Sequence, residues 1–148
     1  MTYSRWNGSS WQSISTLNRW TGSVWTAIQN GYRWTGSVWQ NIYSSFSISV
    51  SPSSVTGSGG PGIVTSNAAT VTVSGGSGSY SYQWNKLSNG GPTITINNPT
   101  SASTTFSANL FHGGGNAVGN FDCVVTDTVT SAQLTSNTVS CALDYTGP

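Results

Sequence analysis

A 14-residue repeat near the start of the chain is the strongest constraint that the sequence places on its fold. Aligning Arg5, Arg19 and Arg33 brings three copies of R-W-x-G-x-x-W into register without a gap, as RWNGSSW, RWTGSVW and RWTGSVW. A period that survives three copies marks a repeated structural unit. The three copies hold three of the four basic residues and six of the seven tryptophans of the 148-residue chain.

Each copy is predicted to form a β-hairpin, because a glycine lies at its centre and aromatic and β-branched residues flank it. The turn dipeptides are Asn7-Gly8, Thr21-Gly22 and Thr35-Gly36. With a four-residue loop, the cross-strand pairs are Trp6 with Trp11, Trp20 with Trp25, and Trp34 with Trp39. One such hairpin buries too little apolar surface to offset the entropy of ordering its chain. We therefore expect a module that becomes stable against its sister repeats or another molecule.

Three roles for the repeated tryptophans stay open. They could form the module's own core, a docking surface, or a set of aromatic faces that hold sugar rings. A docking surface is attractive because Trp and Arg are enriched at interface hot spots. Its predicted residues are Trp6, Trp11, Trp20, Trp25, Trp34 and Trp39, with Arg5, Arg19 and Arg33 beside them as cation–π partners.

A change of composition near residue 46 predicts two domains, the repeat module at residues 1–46 and a second domain at residues 47–148. The second domain alternates short strands with Gly, Ser, Asn and Pro, which is typical of a β-sandwich. Its seven predicted strands are residues 46–50, 69–74, 80–87, 93–97, 103–109, 119–127 and 133–143. The intervening loops are TGSGGPG, GGSGS, SNGGP and HGGGNAVGN. The predicted fold class is all-β.

Period-2 alternation predicts which residues of this domain form the core. In YSYQWNK, Tyr80, Tyr82 and Trp84 share one side, which makes Trp84 the natural centre of the core. In FDCVVTD, Cys123 points inward and Asp122 outward.

Residues 47–143 resemble an immunoglobulin-like domain of the type found in bacterial surface proteins and tailed-phage virion proteins. The resemblance is carried by AATVTVSGGSGSYSYQW, STTFSANL and GNFDCVVTDTVTSAQLTSNTVSCAL. It implies that Trp84 is the core tryptophan of the third strand and Cys123 the cysteine of the sixth. Phe121 replaces the common corner tyrosine, so it can only pack.

The usual disulfide between the sheets of this family cannot form here, because the second strand offers Val71 or Val73 in place of cysteine. Cys123 and Cys141 could instead face each other across one hairpin. Two buried thiols are favoured, since Cys packs well as a small hydrophobe and a reducing compartment is expected during folding.

The repeated phrase also resembles short repeats in phage tail and head-associated proteins. The resemblance implies that the repeats anchor the protein to a virion while the immunoglobulin-like domain projects. MTYSRWNGSS contains no apolar run, so we expect no signal peptide and synthesis in the host cytoplasm. No stretch approaches the length of a membrane span.

Catalytic and metal-binding patterns are poorly represented. His112 is the sole histidine, the carboxylates are Asp122, Asp127 and Asp144, and no nucleophile elbow or zinc spacing occurs. Three spaced arginines are not the dense basic patch that nucleic acid requires. We therefore expect no catalytic residues, metal, cofactor, nucleic-acid binding or membrane insertion.

These observations predict a non-enzymatic structural protein of a tailed-phage virion, on the capsid or the tail. Its partners would be virion proteins, with weak adhesion to host-surface glycans by the outward domain. A homotrimer would suit a phage appendage. The alternative is a carbohydrate- or cell-wall-binding module that uses the tryptophan repeats.

Overall fold

A computed structural model of the protein describes residues 4–6, 8–13, 18–27, 30–44 and 46–147. The described part is all-β and includes a sandwich, which confirms the predicted fold class. The chain divides into two compact units: residues 1–47 with 74–80 and 127–132, and residues 48–73 with 81–126 and 133–148. Two later segments, each made of a loop and the strand ends beside it, therefore group with the repeats.

The first unit contains three separate hairpins, each a two-stranded sheet. Their strands are β1 (Ser4–Trp6), β2 (Trp11–Ser13), β3 (Asn18–Trp20), β4 (Trp25–Ala27), β5 (Asn30–Trp34) and β6 (Trp39–Ser44). The loop between the paired strands is four residues long in every copy, as the repeat predicts. A β-bulge at Gly31/Tyr32 interrupts the register of the third and longest hairpin.

Eleven strands follow the hairpins in the described part of the chain. They are β7 (Phe46–Ser51), β8 (Ser54–Gly59), β9 (Gly62–Thr65), β10 (Ala69–Gly75), β11 (Tyr80–Gly90), β12 (Thr95–Ile96), β13 (Ser103–Thr104), β14 (Phe106–Leu110), β15 (Ala117–Asp127), β16 (Gln133–Thr135) and β17 (Val139–Tyr145). Each of the seven predicted strands has a counterpart in this set of eleven, but residues 103–109 and 133–143 each contribute to two strands and not to one.

One layer of the sandwich is built in two parts, with strand orders β13-β10-β7 and β12-β14-β9. One residue separates β13 from β14, and three residues separate β9 from β10. The chain therefore passes directly from one part of this layer to the other at both places. Ser66 spans the interruption: its N–H donates to the Phe106 carbonyl at 2.8 Å, and its hydroxyl accepts the Phe106 N–H at 3.0 Å.

The other layer has the order β11-β15-β17-β8, with β16 also paired to β15. The β17–β8 pair is parallel, from Ser140 opposite Ser54 to Tyr145 opposite Gly59. The chain thus leaves the first layer after β7 and enters the second as β8, with a cis Ser51–Pro52 peptide bond between them. This switch of sheets, with Greek-key pairing elsewhere, is an immunoglobulin-like arrangement.

The predicted loop TGSGGPG is wrong, because residues 54–59 and 62–65 form β8 and β9. The glycine and serine content of this segment is typical of a loop, but its strands are stabilised by partners distant in sequence, β17 for β8 and β14 for β9. Gly57 has a specific reason to lack a side chain, since a Cβ there would overlap the Thr65 carbonyl.

The single strand predicted at residues 133–143 is also wrong, because it is split into β16 and β17. β16 pairs with Val124–Thr126, whereas β17 pairs with the start of β15 in a register shifted by one residue. Cys141 therefore lies opposite Gly119 and not opposite Cys123. Four residues along a strand span about 13 Å, which excludes the alternative of a cross-hairpin disulfide and confirms the predicted pair of buried thiols.

The core lies where the inward-facing residues of both layers meet. Trp84 on β11 is 1% exposed, contacts Phe106 edge-on at 6.0 Å, and donates its indole N–H to the Ser101 carbonyl at 2.9 Å. Phe106 stacks on Phe121 with ring centroids 4.1 Å apart. Phe121 thus acts by packing alone, as expected from the missing tyrosine hydroxyl.

Candidate functional site

The tryptophans of the repeat are paired across each hairpin. The observed backbone register places Trp6 opposite Trp11, Trp20 opposite Trp25, and Trp34 opposite Trp39. This confirms the predicted pairing in all three copies. A turn of constant length is sufficient to fix that register, because each strand begins directly beside the loop.

The turns explain why glycine recurs at one position of the phrase. Gly8, Gly22 and Gly36 have φ values of +100°, +96° and +99°, which a residue with a side chain rarely adopts. No atom lies within 4 Å of a Cβ built on any of them. Backbone conformation, and not space, therefore requires the glycine.

Threonine closes the second and third turns in the same way. The N–H and the hydroxyl of Thr21 donate to the Val24 carbonyl at 3.1 and 2.9 Å. The same two groups of Thr35 donate to the Val38 carbonyl at 3.0 Å each. The second and third turns are thus closed by the same pair of hydrogen bonds.

The indole pairs of these two hairpins have nearly the same ring separation and inclination. Ring centroids are 5.5 Å apart and inclined by 54° for Trp20 and Trp25, and 5.4 Å apart and inclined by 53° for Trp34 and Trp39. Exposed fractions also repeat, at 54 and 69% in the second hairpin and 51 and 67% in the third. Four large apolar rings thus cover one another only in part and remain open to solvent.

Arginine completes the predicted set of site residues. Arg19 directly precedes Trp20 in β3, so alternation places it on the opposite face of the hairpin, where it is exposed. The side chains of Trp6, Trp11, Arg5 and Arg33 lie outside the described residues. In formal charge, residues 1–46 carry three arginines and no acid, whereas Lys86 and three aspartates leave the rest at −2.

This arrangement is suited to binding and carries no reactive group. The indole faces offer dispersion and burial of apolar surface, and Arg19 offers one positive charge. Two rings inclined by about 54° do not form one plane, so the pair fits an uneven surface better than a flat one. Contiguous exposed apolar surface is a feature of protein, membrane and ligand-binding sites.

The other chemically interesting side chains do not converge. Asp122 and Asp144 lie on neighbouring strands but six register positions apart, or about 20 Å, too far for a pair of acidic catalysts. His112 is in an exposed loop, with its ring 6.3 Å from that of Tyr145. Among the described residues, no three His, Cys, Asp or Glu side chains come together as a metal site would require.

A shallow depression of about 400 Å³ lies on the β11-β15-β17-β8 sheet. It is lined by Ser54, Ser88, Asn89, Gly90, Val118, Gly119, Asn120, Ser140, Cys141 and Ala142. These are mostly small, and none is a carboxylate, imidazole or amine.

The described part of the chain also contains no helix of the length and hydropathy that a membrane crossing demands.

Both cysteines are free and buried within the sandwich. Burial raises the pKa of Cys123 and of Cys141 to about 11, so both thiols stay protonated at neutral pH and are poor nucleophiles. Cys123 and Trp84, the two residues predicted for the core, are both located there.

The role of Asp127, which is fully buried at the end of β15, was not predicted from the sequence. One carboxylate oxygen accepts the Val129 and Thr130 N–H groups at 3.0 Å each, and the other accepts the Ser77 N–H at 2.7 Å. Burial tends to raise the pKa of this carboxyl, but the Thr130, Ser77 and Val129 hydrogen bonds outweigh burial and lower it. The signal was available in Asp-Thr-Val-Thr, since Asp commonly accepts N–H groups two or three residues on.

In a comparison with known protein families, residues 68–89 match the SprB repeat. This segment contains β10, the following loop and most of β11, including Trp84. It supports a bacterial repeat-type, immunoglobulin-like domain for the sandwich. No curated protein matches the chain.

Proposed function

We propose that the protein is a non-enzymatic structural component of a tailed-phage virion, on the capsid or the tail. The hairpin repeats attach it to the particle, and the immunoglobulin-like domain projects outward for weak adhesion to host-surface glycans. The observation that carries the attachment role is the repeated pair of tryptophans, each ring more than half exposed at Trp20, Trp25, Trp34 and Trp39.

Three further features support this proposal. The rings are held in a fixed, repeated geometry by glycine turns, so binding does not have to order them again. Arg19 can contact acidic groups beside an apolar contact. The virion assignment depends on the resemblance of the repeated phrase and of the sandwich to phage proteins. It also fits the expected synthesis in the host cytoplasm, because virions assemble in the cytoplasm and later act outside the cell.

Attachment through the repeats predicts that removing the most exposed indoles prevents incorporation. We expect that a chain carrying Trp25→Ser and Trp39→Ser is depleted at least about 10-fold from purified particles, since hot-spot tryptophans contribute about 2 kcal/mol or more each. The measurement is the ratio of this protein to the major capsid protein by quantitative mass spectrometry. Phe111→Ser is the matched control, because Phe111 is 56% exposed on the sandwich.

Normal incorporation of the double tryptophan variant would exclude the repeats as the attachment site. Equal depletion of the Phe111→Ser variant would show that general loss of exposed aromatic surface, and not the hairpins, is responsible.

A carbohydrate-binding module is the second candidate, and the higher exposure of Trp25 and Trp39 favours it. One indole of each described pair leaves enough of its ring open to stack on a sugar. Tryptophan emission tests this directly, because Trp84 is buried and the other six tryptophans belong to the repeats. A sugar-binding module predicts a saturable emission shift on adding host cell-wall polysaccharide, and the virion component predicts none.

A further inference from the structure

We infer that the indole faces of the hairpins are a self-association surface, covered by the hairpins of a second copy of this chain. The inference rests on the proposed attachment role and refines it: the exposed indoles serve attachment by joining two copies, and the opposite hairpin face, which carries Arg19, is left to contact the particle. It goes further by making the attached species an oligomer.

The amount of exposed indole surface is the first argument. A fully exposed tryptophan presents about 250 Å², so exposed fractions of 54, 69, 51 and 67% leave about 600 Å² on four rings. Val24 and Val38, which are 58 and 61% exposed, add to this area. A stable interface of ordinary size buries about 800 Å² on each partner. The tryptophan surface exposed on the second and third hairpins is thus about three quarters of the area that one partner of an ordinary interface buries.

The distribution of charge is the second argument. Trp20 and Trp25 occupy one face of their hairpin, and Arg19 lies on the other. An indole face can therefore be buried against an identical face without burying a guanidinium. Arg19 remains available to an acidic surface outside the oligomer, such as that of the particle.

Self-complementarity is the third argument. A twofold contact places the same patch on both partners, and tilted indole pairs can pack against further tilted pairs in the edge-to-face geometry that aromatic rings prefer. Every chain carries the repeated pair, so each copy supplies the surface that another copy needs. A flat polysaccharide surface would contact only one ring of a pair inclined by 53–54°.

Sedimentation velocity of the full chain between about 1 and 100 µM tests the inference, a range that covers an interface of this size and modest affinity. We expect a species heavier than the 15.4 kDa chain at the upper end, dissociating on dilution. Trp25→Arg with Trp39→Arg should raise the dissociation constant at least about 100-fold, because both positions place a charge in the interface centre.

Ile63→Arg is the matched control, since Ile63 is 78% exposed on the sandwich, and it should associate like the unmodified chain. Far-UV circular dichroism and the thermal transition of the sandwich establish that each variant is folded. A full chain that stays monomeric throughout, or an oligomer unaffected by the double arginine variant, overturns the inference. A monomeric chain whose incorporation into particles still needs Trp25 and Trp39 would leave the attachment role in place and assign these faces to another protein.

Discussion

Replacing Trp84 with alanine is expected to lower the free energy of unfolding of the sandwich by about 3–5 kcal/mol. The indole is 1% exposed and joins both layers through its contact with Phe106. Its removal leaves a cavity and deprives the Ser101 carbonyl of a donor. Because domains of this size are stable by only about 5–15 kcal/mol, the variant should lose a substantial fraction of its stability.

Denaturant unfolding followed by the NMR methyl signals of the buried sandwich residues measures this loss without interference from the exposed tryptophans, whose closely paired indoles contribute to the far-UV circular dichroism. Leu87→Ala lies on the same strand at a position that is 53% exposed, and it should cost less than about 1 kcal/mol. Trp84→Phe, which retains a ring but loses the N–H donor, should be intermediate. A loss below about 1 kcal/mol for Trp84→Ala would contradict a core organised around this side chain.

Replacing Asp127 with asparagine is expected to destabilise the protein by about 2–4 kcal/mol at pH 7, because the charged acceptor of three backbone N–H groups becomes a neutral amide. The pKa of Asp127 is lowered from its ordinary value of 3.8 in the folded state. Its contribution is therefore complete above the pKa of the unfolded chain and is lost as the pH falls through the folded value. The stability difference between the two proteins should shrink as the pH falls below about 4.

Thermal unfolding of both proteins across an acidic pH series provides the measurement. Asp122→Asn is the control on the same strand, since Asp122 is half-buried and its carboxylate accepts a bond from the Asn85 amide at 3.1 Å. That variant should lose less than about 1 kcal/mol. A difference between Asp127→Asn and the unmodified protein that stays constant with pH would refute the charge-based explanation.

The hairpins were predictable from the sequence because every determinant of their geometry is local. Glycine sets the turn, threonine closes it, and the loop length fixes which tryptophans meet. The solvent exposure of the paired tryptophans was not predictable, because the repeat does not determine which other residues pack against the rings. The inward positions of Trp84 and Cys123 followed from period-2 alternation on strands flanked by clear turns.

Features that depend on distant partners were missed. β8 is composed largely of serine and glycine, and its pairing with β17 joins residues 86 positions apart, such as Ser54 and Ser140. The one-residue shift between β16 and β17 depends on how two segments meet one long strand, which periodicity does not encode. Asp127 was considered only as a strand residue and as one of three carboxylates, although the loop at residues 76–79 supplies one of its donors.

The parallel partnership of β8 and β17 also dictates when the domain can be completed during synthesis. β17 lies between β15 and β8, so β8 has no neighbour in its sheet until residues 139–145 have left the ribosome. Contacts between such remote segments close slowly. A nascent chain therefore exposes two unsatisfied strand edges until β17 has been synthesised, and a chaperone that shields extended backbone would act in that interval.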